Sequence, residues 1–298
     1  MGANLKEVRE RISSVKSTQQ ITKAMKMVSA SKLRRAQQAI TQLRPYANKL
    51  NDMLVNILSN LEGDASTVFG QHREVKNAMV VVVTSNRGLC GAFNTNVIKA
   101  AVHAIETKYA AQRDSGNLTI LCVGKKGYDY FKKRFPEDKV IADYVGVFSD
   151  LSFDNIGQIS QRLMDVFEAG EFDAIDVAYG RFKNAGMQFP ELFQFLPVEK
   201  LEPKAGASKL KSDYIFEPDK ESLLTHLVPT ILQTKFQSFL LDTHASEHGA
   251  RMTAMDAATD NAEELIKGLK ITYNKARQEA ITKELSEIVG GAAALESS

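Results

Sequence analysis

Two short stretches have residue types at spacings that could do chemistry. His244-Ala245-Ser246-Glu247-His248 matches an H-x-x-E-H pattern. Two imidazoles four residues apart share one helix face and could hold a zinc ion, with Glu247 as base toward a bound water. Thr84-Ser85-Asn86-Arg87-Gly88-Leu89-Cys90-Gly91 lies between an apolar run and a helical pattern, where open α/β proteins bind phosphates. It is neither G-x-G-x-x-G nor a P-loop. The next apolar run ends in Gly124-Lys125-Lys126-Gly127, with no acid placed for a ribose hydroxyl. A tight structural turn therefore fits better than a nucleotide site. The H-x-x-E-H segment falls in a helix expected to project into solvent, without an obvious third ligand, and reads as solvated polar residues. Glu263-Glu264 reads as an exposed helix surface. No Ser/His/Asp or Cys/His arrangement is legible, so no catalytic, cofactor-binding or metal-binding residue is expected.

The elements that would position these residues are long helices around an α/β middle. Residues 220–289 contain no proline after Pro229, and the only interior glycine between Ala250 and Leu285 is Gly268. Small or apolar residues recur at 254, 258, 262, 265, 269, 273, 276 and 280, with spacings of four and three. Such a helix would reach on the order of 100 Å at 1.5 Å per residue, too long for a domain of this size to enclose. The same positions repeat every eleven residues, which predicts a nearly straight rod. Leu5, Val8, Ile12 and Val15 open a heptad seam on an N-terminal helix. Continued strictly, the seam meets Gln19, Thr22, Lys26 and Ser29, so the apolar stripe is expected to shift to Ile21, Met25 and Val28. A regular pattern resumes at Ala36, Ile40, Leu43, Ala47, Leu50, Leu54, Ile57 and Leu61. Pro45 should kink or restart the helix, and Glu62-Gly63-Asp64 should end it.

Between the helices the periodicity changes. Strands are predicted at 77–85, 118–123, 139–142, 173–179 and 192–195, with helices near 94–112, 128–135 and 154–167. The alternation argues a small, mainly parallel, Rossmann-like open α/β sheet whose last two strands form an antiparallel hairpin. Residues 202–212 read as a polar linker. The predicted organisation is a shaft helix over 1–62, a central α/β domain over 75–200, and a second shaft helix over 213–298 that pairs antiparallel with the first.

Composition narrows the function classes. The 298 residues are 44% hydrophobic, enough for a substantial core, yet no apolar run approaches the ~20 residues of a membrane span. The N-terminus lacks a secretory signal's apolar core, and Lys6 stands where a myristoylation motif needs Ser or Thr. Cys90 and Cys122 read as reduced thiols. The net charge of +2 is unevenly spread: residues 1–60 carry eleven Lys/Arg against three acids, a net of +8, leaving −6 elsewhere. A one-signed stretch predicts an acidic partner. Residues 1–45 lack Phe, Tyr and Trp for base stacking, so an acidic protein surface fits better than nucleic acid.

Three separated motifs then carry a resemblance: SVKSTQQITKAMKMVSASKLRRAQ (14–37), TSNRGLCGAFN (84–94), and the run from Ala250 to Leu295. Together they resemble the gamma subunit of the F-type ATP synthase, of bacterial type, over essentially the whole chain. The resemblance implies an asymmetric antiparallel coiled coil turning inside three alpha and three beta subunits. Its base would sit on the membrane c-ring beside epsilon, with membrane association only through these partners and no nucleic acid bound. Rotation would couple proton flow to ATP synthesis or hydrolysis, the nucleotide chemistry belonging to alpha and beta. It implies contacts with beta at Lys23, Met25, Lys26, Arg251, Arg277, Gln278 and Thr282. The helical wheel independently places Gln278 about 200° from Ala276 and Ala280, in an outward stripe with Asn274 and Thr282. No insert carrying the chloroplast form's cysteine pair is visible between Leu196 and Tyr214, so no thiol switch is expected. The implied location is the cytoplasmic face of a bacterial plasma membrane. The alternative from the residues is a Rossmann-like nucleotide-binding enzyme with a helical interaction arm.

Overall fold

The structure, a computed structural model, describes residues 5–59, 68–198 and 220–296. The expected helix end at 62–64 and the linker at 202–212 lie outside them, as does the 199–213 stretch where an insert would fall. The chain divides into two compact units. One comprises Met1–Val28 with Met252–Ser298, the other Ser29–Arg251.

In the larger unit, β1 (Ala78–Val83), β2 (Leu118–Val123), β3 (Val140–Ile141), β4 (Ala174–Asn184) and β5 (Met187–Leu196) form one sheet in the order β3-β2-β1-β4-β5. All neighbours are parallel except β4 and β5, the expected hairpin. β1, AMVVVV, is buried at every position because both faces are covered. Val80 and Val82 meet α2 (Phe93–Thr107) through Val97, Ala101 and Ile105. Val81 and Val83 meet α5 (Phe153–Glu168) through Ile159 and Leu163. The predicted 94–112 helix is two: α2, then α3 (Ala110–Asp114), broken at Lys108-Tyr109. There Lys108 Nζ reaches the buried Asp176 carboxylate on β4 at 2.7 Å, and the Tyr109 ring is buried. α4 (Lys125–Phe131) follows β2.

The terminal helices are α1 (Leu5–Ser59) and α6 (Lys220–Glu296). α1 passes Pro45 without restarting. The expectation that the whole C-terminal helix projects is corrected here. Val228, Leu232, Phe236, Phe239 and Leu240 belong to the same core as β1 and α5. That stretch is an apolar face without small residues, and a sheet face is what covers it. On α1, Leu33, Ala36, Ile40 and Leu50 are buried at the expected spacing.

In the smaller unit the two helices pair antiparallel, and both predicted seams need correction. On α1 the strict heptad continues through its polar positions: Thr22 is 8% exposed, whereas Ile21 and Val28 are 60% and 57% exposed. On α6 the seam is 255, 259, 262, 266, 269, 273, 276 and 280, a heptad rather than an eleven-residue repeat. Met255 and Ile266 are buried, and Leu265 is 48% exposed. The shift has a physical cause. Thr22 and Thr259 share a 2.8 Å hydrogen bond between hydroxyls, and Lys26 Nζ lies 2.5 Å from Asp256. One of the two hydroxyls donates across the seam and the other donates to a carbonyl of its own helix, Gln19 O being 3.0 Å from Thr22 Oγ1 and Met255 O 2.7 Å from Thr259 Oγ1. Polar groups satisfied in this way can occupy a helical interface.

Candidate functional site

The Thr84–Gly91 turn leaves β1 at the carboxyl end of the sheet, next to the switch point between β1 and β4. Its polar groups are turned inward. Ser85 N donates to Asn94 Oδ1 at 3.0 Å, Ser85 Oγ donates to Arg87 O at 2.7 Å and accepts from Asn94 Nδ2 at 2.8 Å, and Asn94 Nδ2 also donates to Cys90 Sγ at 3.2 Å. Thr84 Oγ1 accepts from Gly127 N at 2.8 Å, tying this turn to the start of α4. Leu89 (φ 62) and Gly91 (φ 57) take left-handed backbone, and Leu89 is 65% exposed.

The crevice where such sheets bind nucleotides is occupied by α6. Gly180 N on β4 donates to Thr243 Oγ1 at 3.2 Å, and Ser246 Oγ donates to Gly180 O at 2.9 Å. A Cβ at Gly180 would lie 3.4 Å from Ser246 Cβ on α6 and 2.4 Å from Phe93 Cε2 on α2, so both helices press on this point of β4. The chain's own helix fills the switch point.

The H-x-x-E-H residues follow on the same face, and here the expectation of solvated side chains does not hold. Glu247 and His248 are 7% and 5% exposed. One ligand atom from each of His244, Glu247 and His248 can be chosen so that all three lie within 4.8 Å of one another. The cation already beside them is Arg251. Its Nη1 donates to Glu247 Oε1 at 2.6 Å and lies 3.4 Å from His248 Nδ1. Its Nη2 donates to Arg87 O and Gly88 O, both at 3.2 Å. Burial first, then the neighbouring His244 and the cations Arg251 and Lys32, lower His248 to about 3. Burial, then Lys32 and Arg251, lower His244 to about 4, and its ring stacks on Phe148 at 6.0 Å. Burial raises the Glu247 carboxyl, against the pull of Arg251. A divalent ion would have to displace a guanidinium that donates to Glu247, Arg87 O and Gly88 O. The cluster is a clamp that fixes the 87–88 turn to α6.

The residues expected at a partner interface are spread differently. Lys23 is exposed, and Met25 and Lys26 are half-buried, Lys26 engaged with Asp256. Arg277, Gln278 and Thr282 are exposed with Asn274, while Ala276 and Ala280 are half-buried on the other face. Arg251 is turned inward, 6% exposed. Asp256 and Thr259 were missed by the sequence reading. The signal was there: strict heptads extended from Ala262 back to Thr259 and Met255 place Asp256 beside the seam.

The family model described as ATP synthase matches residues 4–295. The ATP synthase gamma chain of Cytophaga hutchinsonii is 50% identical, over 98% of this chain and 99% of that one. Those of Flavobacterium psychrophilum and Chloroherpeton thalassium are 52% and 45% identical over 98% and 99% of this chain, and over 99% of their own lengths. Among solved structures, a chain of the Euglena gracilis mitochondrial ATP synthase OSCP/F1/c-ring assembly has the same fold. Its TM-score is 0.63 at 23% identity, covering 98% of this chain and 95% of that one. A Tetrahymena thermophila central stalk/c-ring chain gives 0.55 at 23%, covering 80% and 99%. With near-complete coverage at half identity, this chain belongs to the ATP synthase gamma chain family.

Proposed function

We propose that the chain is the central rotor of an F-type ATP synthase and has no catalysis of its own. The two helical ends, residues 1–62 and 213–298, form a shaft that turns among three alpha and three beta subunits, and residues 75–200 form its base. The base rests on epsilon and the c-ring, so that proton flow through the ring turns the shaft and drives nucleotide turnover on its partners. Membrane association is through those partners, at the cytoplasmic face of a bacterial plasma membrane. No helix among the described residues is long and apolar enough to cross a membrane.

The observation that carries this reading is the exposed apolar surface of the two helices. Ile21, Met27 and Val28 on α1, and Ile281, Leu285 and Ile288 on a stretch of α6 exposed at every position from 281 to 292, are 49–68% exposed. Large apolar groups held in solvent on long helices call for a surrounding protein. Lys23, Met25 and Lys26 meet beta from one helix, and Arg277, Gln278 and Thr282 from the other. Arg251 contributes through the turn it clamps, presenting Arg87 and Leu89. Co-purification tests the reading: a tagged chain should bring down alpha and beta in threefold excess over itself. Recovery of the chain alone, or with equimolar partners, would defeat it.

A further inference from the structure

The free edge of the sheet faces a cleft. β5 is the last strand in the order, so one of its edges pairs with no strand among the described residues. Beside it lies an opening of about 710 Å³, with β5, α1 and α6 as its walls. Leu192, Phe193, Gln194 and Phe195 all line it. Successive strand residues point to opposite faces. A cleft touched by four in a row therefore runs along the strand's edge rather than over one face.

Pro190 fixes which amides point into it. It sits in the β4–β5 ladder opposite Gly180, and the register is unbroken from there to Gln194 opposite Asp176. Proline has no N–H, so it is accepted in a ladder where that position faces away from the partner strand. Two and four residues on, the amides of Leu192 and Gln194 share that outward direction.

The remaining walls specify the occupant. Ile40, Leu43 and Ala47 from α1 and Ile231 from α6 are apolar. Arg44 and Lys235 bring two positive charges, Lys235 lying 4.8 Å from the centre of the Phe193 ring. The one acid is Asp242, whose carboxyl burial pushes up to about 6. The cleft is thus apolar with a positive balance, along a strand edge that offers backbone hydrogen bonds.

We propose that the outer edge of β5 takes an extended segment of another subunit, apolar at alternate positions and net acidic, as an added strand between β5 and α1. Backbone pairing with Leu192 and Gln194 supplies the register, the apolar walls take alternate side chains, and Arg44 and Lys235 meet its carboxylates. A small ligand would leave the row of backbone groups unused. This inference rests on the reading of the chain as one subunit of a larger assembly.

Hydrogen–deuterium exchange on the full chain, alone and in the complex recovered with alpha and beta, tests it. The amides of Leu192 and Gln194 should exchange at least about tenfold more slowly in the complex. Ala47→Phe, which fills the cleft from the α1 side, should abolish that difference while alpha and beta still co-purify and helicity is unchanged. Gln194→Pro, which removes one outward N–H as Pro190 does, should weaken retention of the subunit that supplies the added strand. Equal exchange alone and in the complex overturns the proposal, including equal protection because the chain covers its own edge. Protection that persists in Ala47→Phe overturns it as well. Failure of the unmodified chain to recruit alpha and beta is a separate readout: it defeats the rotor reading and takes this proposal with it.

Discussion

The hydroxyl of Thr22 on α1 lies 2.8 Å from that of Thr259 on α6, across the seam of the antiparallel pair. With Lys26 and Asp256 one turn away, it fixes which residue meets which over a stretch where apolar packing alone would prefer Ile21 and Val28. A single polar layer in an otherwise apolar interface specifies register at a cost in stability.

Replacing one hydroxyl should therefore harm more than replacing both. Thr22→Val removes the bond across the seam and leaves the Thr259 hydroxyl, which keeps Met255 O as acceptor, facing a methyl group, at a cost of about 1 kcal/mol. Thr22→Val with Thr259→Val should recover most of that loss, giving a coupling of about 0.5–1.5 kcal/mol in a double-mutant cycle read by denaturant unfolding. Additive losses would show that the two hydroxyls do not act together.

Arg251 should behave as a buried structural cation. Arg251→Met leaves the Glu247 carboxyl buried without its cation, and should destabilise the chain by about 3–5 kcal/mol while speeding amide exchange over 85–91. Glu247→Met added to it should restore a large part of the stability, because the stranded carboxyl goes too. If the single variant is as stable as the parent, the clamp is not holding the turn.

Acid should loosen the same region. His248 and His244 are lowered to about 3 and 4 in the folded chain, against 6.5 for the unfolded one. Between those values the unfolded state binds more protons, so their contribution is fully present above pH 6.5 and is lost as pH falls toward 4. Asp242 works in the opposite sense. Raised from 3.8 to about 6, it favours the folded state at low pH, and that contribution is lost as pH rises through about 6. His248→Gln should flatten the loss of stability between pH 6.5 and 4, and Asp242→Asn should steepen it. Melting temperature against pH for the three proteins checks both signs.

Two glycines should respond oppositely to the same methyl group. Gly180→Ala drives a Cβ to 2.4 Å from Phe93 and 3.4 Å from Ser246, and should cost about 1–3 kcal/mol by overpacking. Gly268→Ala meets nothing within 4 Å in a helix interior, and should stabilise by about 0.5–1 kcal/mol. Chemical denaturation of both variants decides it.

The outward stripe should matter to coupling before it matters to folding. Gln278→Leu with Arg277→Ala should reduce the ATPase activity of the reconstituted complex while leaving circular dichroism of the chain unchanged. A loss of helicity at equal or greater proportion would make those residues structural.

The order of elements, the sheet with its antiparallel last hairpin, and the two long helices were legible in the sequence. Periodicity and β-branched runs report local backbone geometry and burial on one or two faces directly. The outward direction of Gln278 was legible for the same reason, since helix geometry fixes it relative to Ala276 and Ala280. What only the tertiary structure decided was which partner each face meets. The sequence cannot distinguish a seam of Thr22 and Thr259 from one of Ile21 and Val28, because a buried hydroxyl is acceptable only when its bonding partner, more than two hundred residues away, is in place. Nor could it show that Glu247 and His248 are buried and His244 half-buried, because the Arg87 and Gly88 carbonyls that engage Arg251 come from a distant turn. Local spacing determines which residues share a face, and only the fold determines whether that face meets water, a sheet, or another polar group that satisfies it.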